Sequence, residues 1–310
     1  MCLAMGTPAS AVIVAGANGG GDTTNNTTAG QMAAQLGLAN ADFYNNVLPY
    51  SDATAVYLGW AQTDDGPRAF LLSAMHITLS NTMLINAVSY SVTRESIAGS
   101  DLALLTLTNT DGIMPPLPVM NLAGSTPAIG TGVIMAGFGR ERVQDATTDA
   151  DVSDAIAING SEGYTTTTTQ VMRWGTNSTI RANSPPGTPV PAATFDIEGR
   201  PTVSFRTQFD EPGTGEWLTT SEAQAVRGDS GGAAFDFDGS LRGVIVAVGG
   251  SSSELAVFGD LTFFADVATY STDIDEAIGY TLVPEPSTKA LLFLAAGSVG
   301  WWAWRRRVRA

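Results

Sequence analysis

The chain has 310 residues, 30 acidic against 15 basic, for a formal net charge of −15; with no basic stripe to neutralise phosphates, nucleic acid is excluded as a partner and the acidity reads as a solvated, self-repelling surface. One histidine and one cysteine, Cys2, exclude metal sites built on these ligands, and a chain long enough for one large or two smaller cores needs no disulfide. Hydrophobic residues make up 44% and charged residues 15%, with Thr, Ser, Gly and Asn abundant, which suits many short strands joined by loops.

Residues 1–11 close on Ala9-Ser10-Ala11, the small-residue pattern of a signal peptidase site, although a basic region and a full apolar stretch are missing before it. They read as a signal-peptide remnant; the plainer alternative makes residues 1–14 an apolar leader into the first strand. Short apolar runs then recur between turn residues, at 55–60, 69–73, 102–107, 132–137 and 243–248. That rhythm predicts an all-β body. Thr165–Thr169 reads as a strand edge, Asp145–Asp154 as an acidic surface loop and Asn183–Pro191 as a proline-rich loop.

His76 follows one apolar run, where a strand ends and a turn begins. A lone histidine is usually half-buried with a satisfied hydrogen bond, and an aspartate such as Asp101, at the entrance to Leu102–Leu107, ordinarily caps a turn. Together they have a further use, because a carboxylate beside an apolar core fixes an imidazole tautomer and stabilises its protonated form. Farther on, Gly228-Asp229-Ser230-Gly231-Gly232 is either a tight turn or a loop presenting a nucleophile. The second reading requires a base and a group to orient it, and the order His76, Asp101, Ser230 supplies both.

With these segments in view, residues 12–280 resemble the trypsin and chymotrypsin family of serine proteases. Leu72–His76 is similar to the segment around that family's catalytic His, Asp101–Leu105 to the one opening on its catalytic Asp, and Gly228–Gly232 to its nucleophile motif. Ala136-Gly137-Phe138-Gly139 resembles the family's Gly-aromatic-Gly strand end, and Phe263–Tyr270 its last strand leading into a closing helix. The resemblance implies two packed six-stranded antiparallel β-barrels, a first at about 12–125 and a second at about 126–282, followed by a short helix. It implies a serine endopeptidase acting through an acyl-enzyme, without a cofactor, on a polypeptide substrate. His76 would be the base, Asp101 its orienter and Ser230 the nucleophile, with the amides of Gly228 and Ser230 forming the oxyanion hole. Asp229 would be buried and need a cationic partner, either an amine freed at Val12 or, preferred at this stage, Arg140. Gln224 would lie at the base of the primary pocket, where the lack of an acid argues against a strong Arg or Lys preference there, and Val246 and Val248 would line it. The 140–217 region is expanded and has no assigned role. A catalytically silent adhesion or matrix protein retaining the same scaffold is the alternative.

The C-terminus reads Val283-Pro284-Glu285-Pro286, then an uncharged run over 290–304 with three tryptophans, then Arg305-Arg306-Arg307-Val308-Arg309. Fifteen residues are slightly short of the length that crosses a bilayer, but Lys289 can snorkel, and the arginines mark the cytoplasmic side. These parts resemble the PEP-CTERM sorting signal, which implies a transmembrane helix at 290–304 within a signal at 283–310. It also implies an exosortase-type partner and export to the envelope, outer surface or extracellular matrix of a Gram-negative bacterium.

Overall fold

The structure, a computed structural model, describes residues 12–16, 28–142, 156–158, 161–180, 191–211, 221–250 and 254–283. The expected signal remnant, acidic loop, transmembrane helix and nearly all of the proline-rich loop lie outside them. Among the described residues no helix is long and apolar enough to cross a membrane.

After strand β1 (Ile13–Gly16) comes helix α1 (Ala29–Leu36). Its start is encoded by Thr28 and Gln31, whose side chains each take the other's backbone N–H, and its end by Gly37 at φ 66°. Strands β2 (Val47–Tyr50), β3 (Ala53–Thr63), β4 (Gly66–Ala74), β5 (Thr82–Ile85), β6 (Val88–Ser96) and β7 (Leu102–Thr108) form an antiparallel six-stranded sheet ordered β2-β3-β4-β7-β6-β5. Strand β6 alternates, with Tyr90 and Val92 buried and Ser89, Ser91 and Thr93 exposed, as one solvated face requires. In β4 and β7 the apolar runs are continuous and buried. The sheet is nearly closed: Tyr50 Oη donates to the Ser80 carbonyl at 2.7 Å and accepts from its N–H at 3.2 Å, bridging β2 to the approach to β5.

The rest comprises β8 (Gly132–Gly137), β9 (Arg140–Arg142), β10 (Ile156–Ile158), β11 (Ser161–Gln170), β12 (Arg173–Ile180), β13 (Ala193–Ile197), β14 (Arg200–Gln208), β15 (Ser221–Gln224), β16 (Ala233–Phe235), β17 (Leu241–Gly249), β18 (Leu255–Val257) and β19 (Leu261–Asp266). Nine strands form one sheet, β1-β15-β12-β8-β16-β17-β19-β14-β13, in which an added β12–β14 pairing joins β12-β8-β16-β17-β19-β14 into a ring. Strands β9, β10 and β18 pair with β11.

Three features depart from the expected pair of six-stranded antiparallel barrels. The second sheet has nine strands, because β1 and β15 extend it on one side and β13 on the other. One contact, Thr176 with Glu222, is parallel. Residues 13–16, expected in the first barrel, pair instead with β15 of the second sheet, whose outer edge they cover.

One apolar cluster joins the two sheets: Leu71, Leu72, Leu104 and Leu105 share it with Trp174, Phe235 and Val244. Each such side chain contributes roughly 1.5–3 kcal/mol on burial. Helix α2 (Val267–Ile278) follows β19 and buries Val267, Tyr270, Ile274 and Ile278, one helical stripe. Beyond it the Val283 N–H bonds the Trp60 carbonyl at 2.8 Å, returning the chain to the first sheet.

Candidate active site

Register brings the first two residues together. Strands β4 and β7 are neighbours with Ala74 opposite Leu102, so the turn after β4 and the residue before β7 lie side by side. The Met75 N–H reaches the Asp101 carbonyl at 2.6 Å, and the His76 N–H reaches Asp101 Oδ1 at 2.9 Å. Asp101 Oδ2 meets His76 Nδ1 at 2.6 Å. An ionised Asp101 only accepts, so Nδ1 carries the proton and Nε2 is left as an acceptor. That nitrogen lies 3.0 Å from Ser230 Oγ. Asp101 is fully buried, and its own N–H donates to Thr202 Oγ1 of β14 at 2.9 Å, which ties its backbone to the second sheet.

The loop presenting Ser230 is held by its backbone. Asp229 N–H bonds the Val226 carbonyl at 3.0 Å, Gly231 N–H the Ile245 carbonyl at 2.7 Å and Gly232 N–H the Asp229 carbonyl at 2.7 Å. Among the described residues the N–H groups of Gly228 and Ser230 have no acceptor. Gly228 sits at φ 98°, where an L side chain is strained, and a β-carbon there would strike the Gln170 amide. Gly228→Ala is therefore expected to cost about 1–3 kcal/mol in denaturant unfolding, the scale of one strained backbone position.

Asp229 is fully buried, and burial pushes its carboxyl up to about 7. Its Oδ2 accepts from the Val226 N–H at 2.9 Å. The amides of Gly139 and Val12 face the carboxylate and pull the value back, but Oδ1 has no hydrogen bond of normal geometry among the described residues. Space for this carboxylate explains the Gly137-Phe138-Gly139 motif, since a β-carbon at Gly137 or Gly139 would overlap it.

Arg140, preferred from the sequence as the partner of Asp229, points elsewhere: its guanidinium pairs with Glu254, which also holds Arg227 at 3.0 Å. The backbone of Val12, buried beside β15, approaches Asp229 instead. Gln224 is likewise displaced from its expected role. Its amide is buried, donating to the Leu261 carbonyl at 3.2 Å and accepting from Thr262 Oγ1 at 3.1 Å, and it does not line the cleft.

That cleft, of about 560 Å³, runs past His76, Gly228 and Ser230, with Val226, Val246 and Val248 among its walls. Beyond Ile245, strand β17 pairs with β19 alone among the described residues, so one backbone edge of Val246–Gly249 is open.

Thr54 was invisible in the sequence as a site residue. Its Oγ1 donates to the Gly228 carbonyl at 2.9 Å and accepts from the Phe138 N–H at 2.8 Å, while its N–H bonds the Ser230 carbonyl at 2.9 Å. One buried threonine of the first sheet thus clamps both loops around Asp229. Thr54→Val would strip partners from one buried and one part-buried backbone group, and an unsatisfied buried group costs about 1–3 kcal/mol; a loss of about 2–4 kcal/mol in denaturant unfolding is expected.

With the geometry in place, the comparisons divide the chain in two. Residues 282–307 match the PEP-CTERM protein-sorting motif. The folded body is similar to the active form of the Rv3671c protease from M. tuberculosis, at 16% identity over 74% of each chain with a TM-score of 0.44. It is also similar to the HtrA-type protease AlgW with a decapeptide, at 17% identity over 73% of this chain and 51% of that one, TM-score 0.41. A glutamic acid specific serine protease is a third, at 14% identity over 76% of this chain and 96% of that one, TM-score 0.40. These likenesses concern the path of the chain and assign no activity. No curated protein is similar to this one.

Proposed function

We propose that the chain is an exported serine endopeptidase. In this reading the body is a two-barrel trypsin-like protease domain at 12–282, and His76, Asp101 and Ser230 are its catalytic residues. The observation that carries the reading is the unbroken hydrogen-bonded series from buried Asp101 through His76 to Ser230, at 2.6 and 3.0 Å, opening on a cleft.

The chemistry follows from those contacts. Ser230 Oγ attacks a peptide carbonyl as its proton passes to His76 Nε2; the carbonyl oxygen gains the charge and turns toward the unengaged N–H groups of Gly228 and Ser230. His76 returns the proton to the leaving amine, leaving an acyl-enzyme, and the same base then activates water to release the acid. A substrate in extended form adds to the open edge of Val246–Gly249, where main-chain hydrogen bonds give affinity without sequence demand. The sorting segment directs export, with recognition by an exosortase-type enzyme and transient membrane anchoring through residues 290–304.

Incubating the full-length chain with an unfolded polypeptide tests the reading. New amine termini inside the substrate are expected, and none with Ser230→Ala. An intact substrate beside a chain whose circular dichroism shows native structure would point to the catalytically silent scaffold.

A further inference from the structure

We propose that the cleft selects polypeptides with Lys or Arg side chains close to the scissile bond, an assignment that rests on the peptidase reading and names its substrate class. Three carboxylates line the cleft, Asp52, Asp196 and Glu198. They come from separate elements, Asp52 from the turn between β2 and β3 in the first sheet, Asp196 from strand β13 and Glu198 from the turn that follows it in the second.

Both turns are fixed. Ile197 opposite Arg200 leaves a two-residue turn of Glu198 and Gly199, at φ 50° and 77°, and Ile197 is buried in the core between the two acids. The Asp52 carbonyl accepts from Gln170 Nε2 at 2.9 Å, and Thr54, two residues on, is bonded to the Ser230 loop.

Among the described residues none of the three carboxylates meets a cation; Asp196 only takes the Gly199 N–H, at 2.8 Å. The basic side chains among the lining residues are His76 and Arg227, and Arg227 shares the single carboxylate of Glu254 with Arg140. The three carboxylates outnumber that cation, within a chain whose net charge is −15; being exposed, they attract an entering cation in a salt-dependent way.

Val226, Val246 and Val248 line the same cleft and Gln224 does not, so apolar side chains are accommodated beside the cations.

Binding to the full-length Ser230→Ala variant tests this without hydrolysis. Three labelled decapeptides, identical except for Arg, Ala or Glu on either side of one central residue, are compared by fluorescence anisotropy. At low ionic strength the Arg peptide is expected to bind about tenfold tighter than the Ala peptide and the Glu peptide more weakly than both, the scale of a few exposed ion pairs. The Arg-to-Ala ratio should shrink to within about twofold in roughly 0.5 M salt, and likewise in a chain also carrying Asp196→Asn and Glu198→Gln. Equal affinities, or a preference for Glu, would overturn the assignment. Failure of the peptidase reading looks different: the ranking of affinities persists while the wild-type chain leaves every peptide intact.

Discussion

Replacing Ser230 with Ala is expected to lower kcat for peptide hydrolysis by about 10⁵- to 10⁶-fold, with His76→Ala as severe and the double variant scarcely worse. The reason for non-additivity is that Ser230 Oγ and His76 Nε2, 3.0 Å apart, share one proton transfer in the proposed mechanism. Once either is gone the other has nothing to act on, and only substrate binding and the amides of Gly228 and Ser230 remain. Asp101→Asn should cost about 10⁴-fold through a different cause. A side-chain amide donor facing Nδ1 favours the tautomer that protonates Nε2, turning the acceptor that faces Ser230 into a donor. The His76 N–H contact to Oδ1 at 2.9 Å would keep the ring near its place, so the loss should appear in kcat rather than in KM. Rates measured across this series on one peptide, by single turnover and at steady state, check both statements.

The second large effect is a dependence of stability on pH arising from Asp229. An aspartate has an ordinary value near 3.8, and burial raises this one to about 7 in the folded chain. A raised folded value means that the native state holds a proton the unfolded state has already lost. The contribution of Asp229 to stability is therefore complete below pH 4 and is lost as the pH climbs through 7, at about 1.4 kcal/mol per pK unit. Over that window the loss is on the order of 4 kcal/mol. Asp229→Asn should flatten this slope, as seen in denaturant unfolding between pH 4 and 8. A chain beginning at Val12 should flatten it too, by another route, because an α-ammonium placed where the Val12 amide now faces the carboxylate would stabilise the ionised form. A slope unchanged in both variants would show that Asp229 does not titrate in this range.

Much of the framework was legible because the sequence advertises it. The apolar runs at 55–60, 69–73, 102–107, 132–137 and 243–248 fall within β3, β4, β7, β8 and β17. Their hydrophobicity reflects burial in the core that both sheets share, and that is a local signal. The positions of His76 and Asp101 at strand ends were readable for the same reason. Side-chain contacts across the sheets were not. Thr54, Thr202 and Gln170 bind loops 32 or more residues away, and nothing in their neighbours distinguishes them from the many other polar residues of this chain. The preference for Arg140 failed similarly: the family resemblance suggested an arginine after the Gly-aromatic-Gly strand end as the partner of Asp229, while Glu254, 114 residues from Arg140, takes its guanidinium. The hairpin that carries Asp196 and Glu198 escaped notice because it lies in the expanded 140–217 region, where family resemblance gives no template and strands β13 and β14 are weakly apolar.

Treating the full-length chain with a fluorophosphonate and mapping the adduct by mass spectrometry tests the convergence of His76, Asp101 and Ser230 most directly, since only a serine paired with a base reacts at an appreciable rate. One adduct per chain is expected, on Ser230, abolished by His76→Ala. A natively folded chain that stays unlabelled, or a label on another hydroxyl that persists without His76, would contradict it.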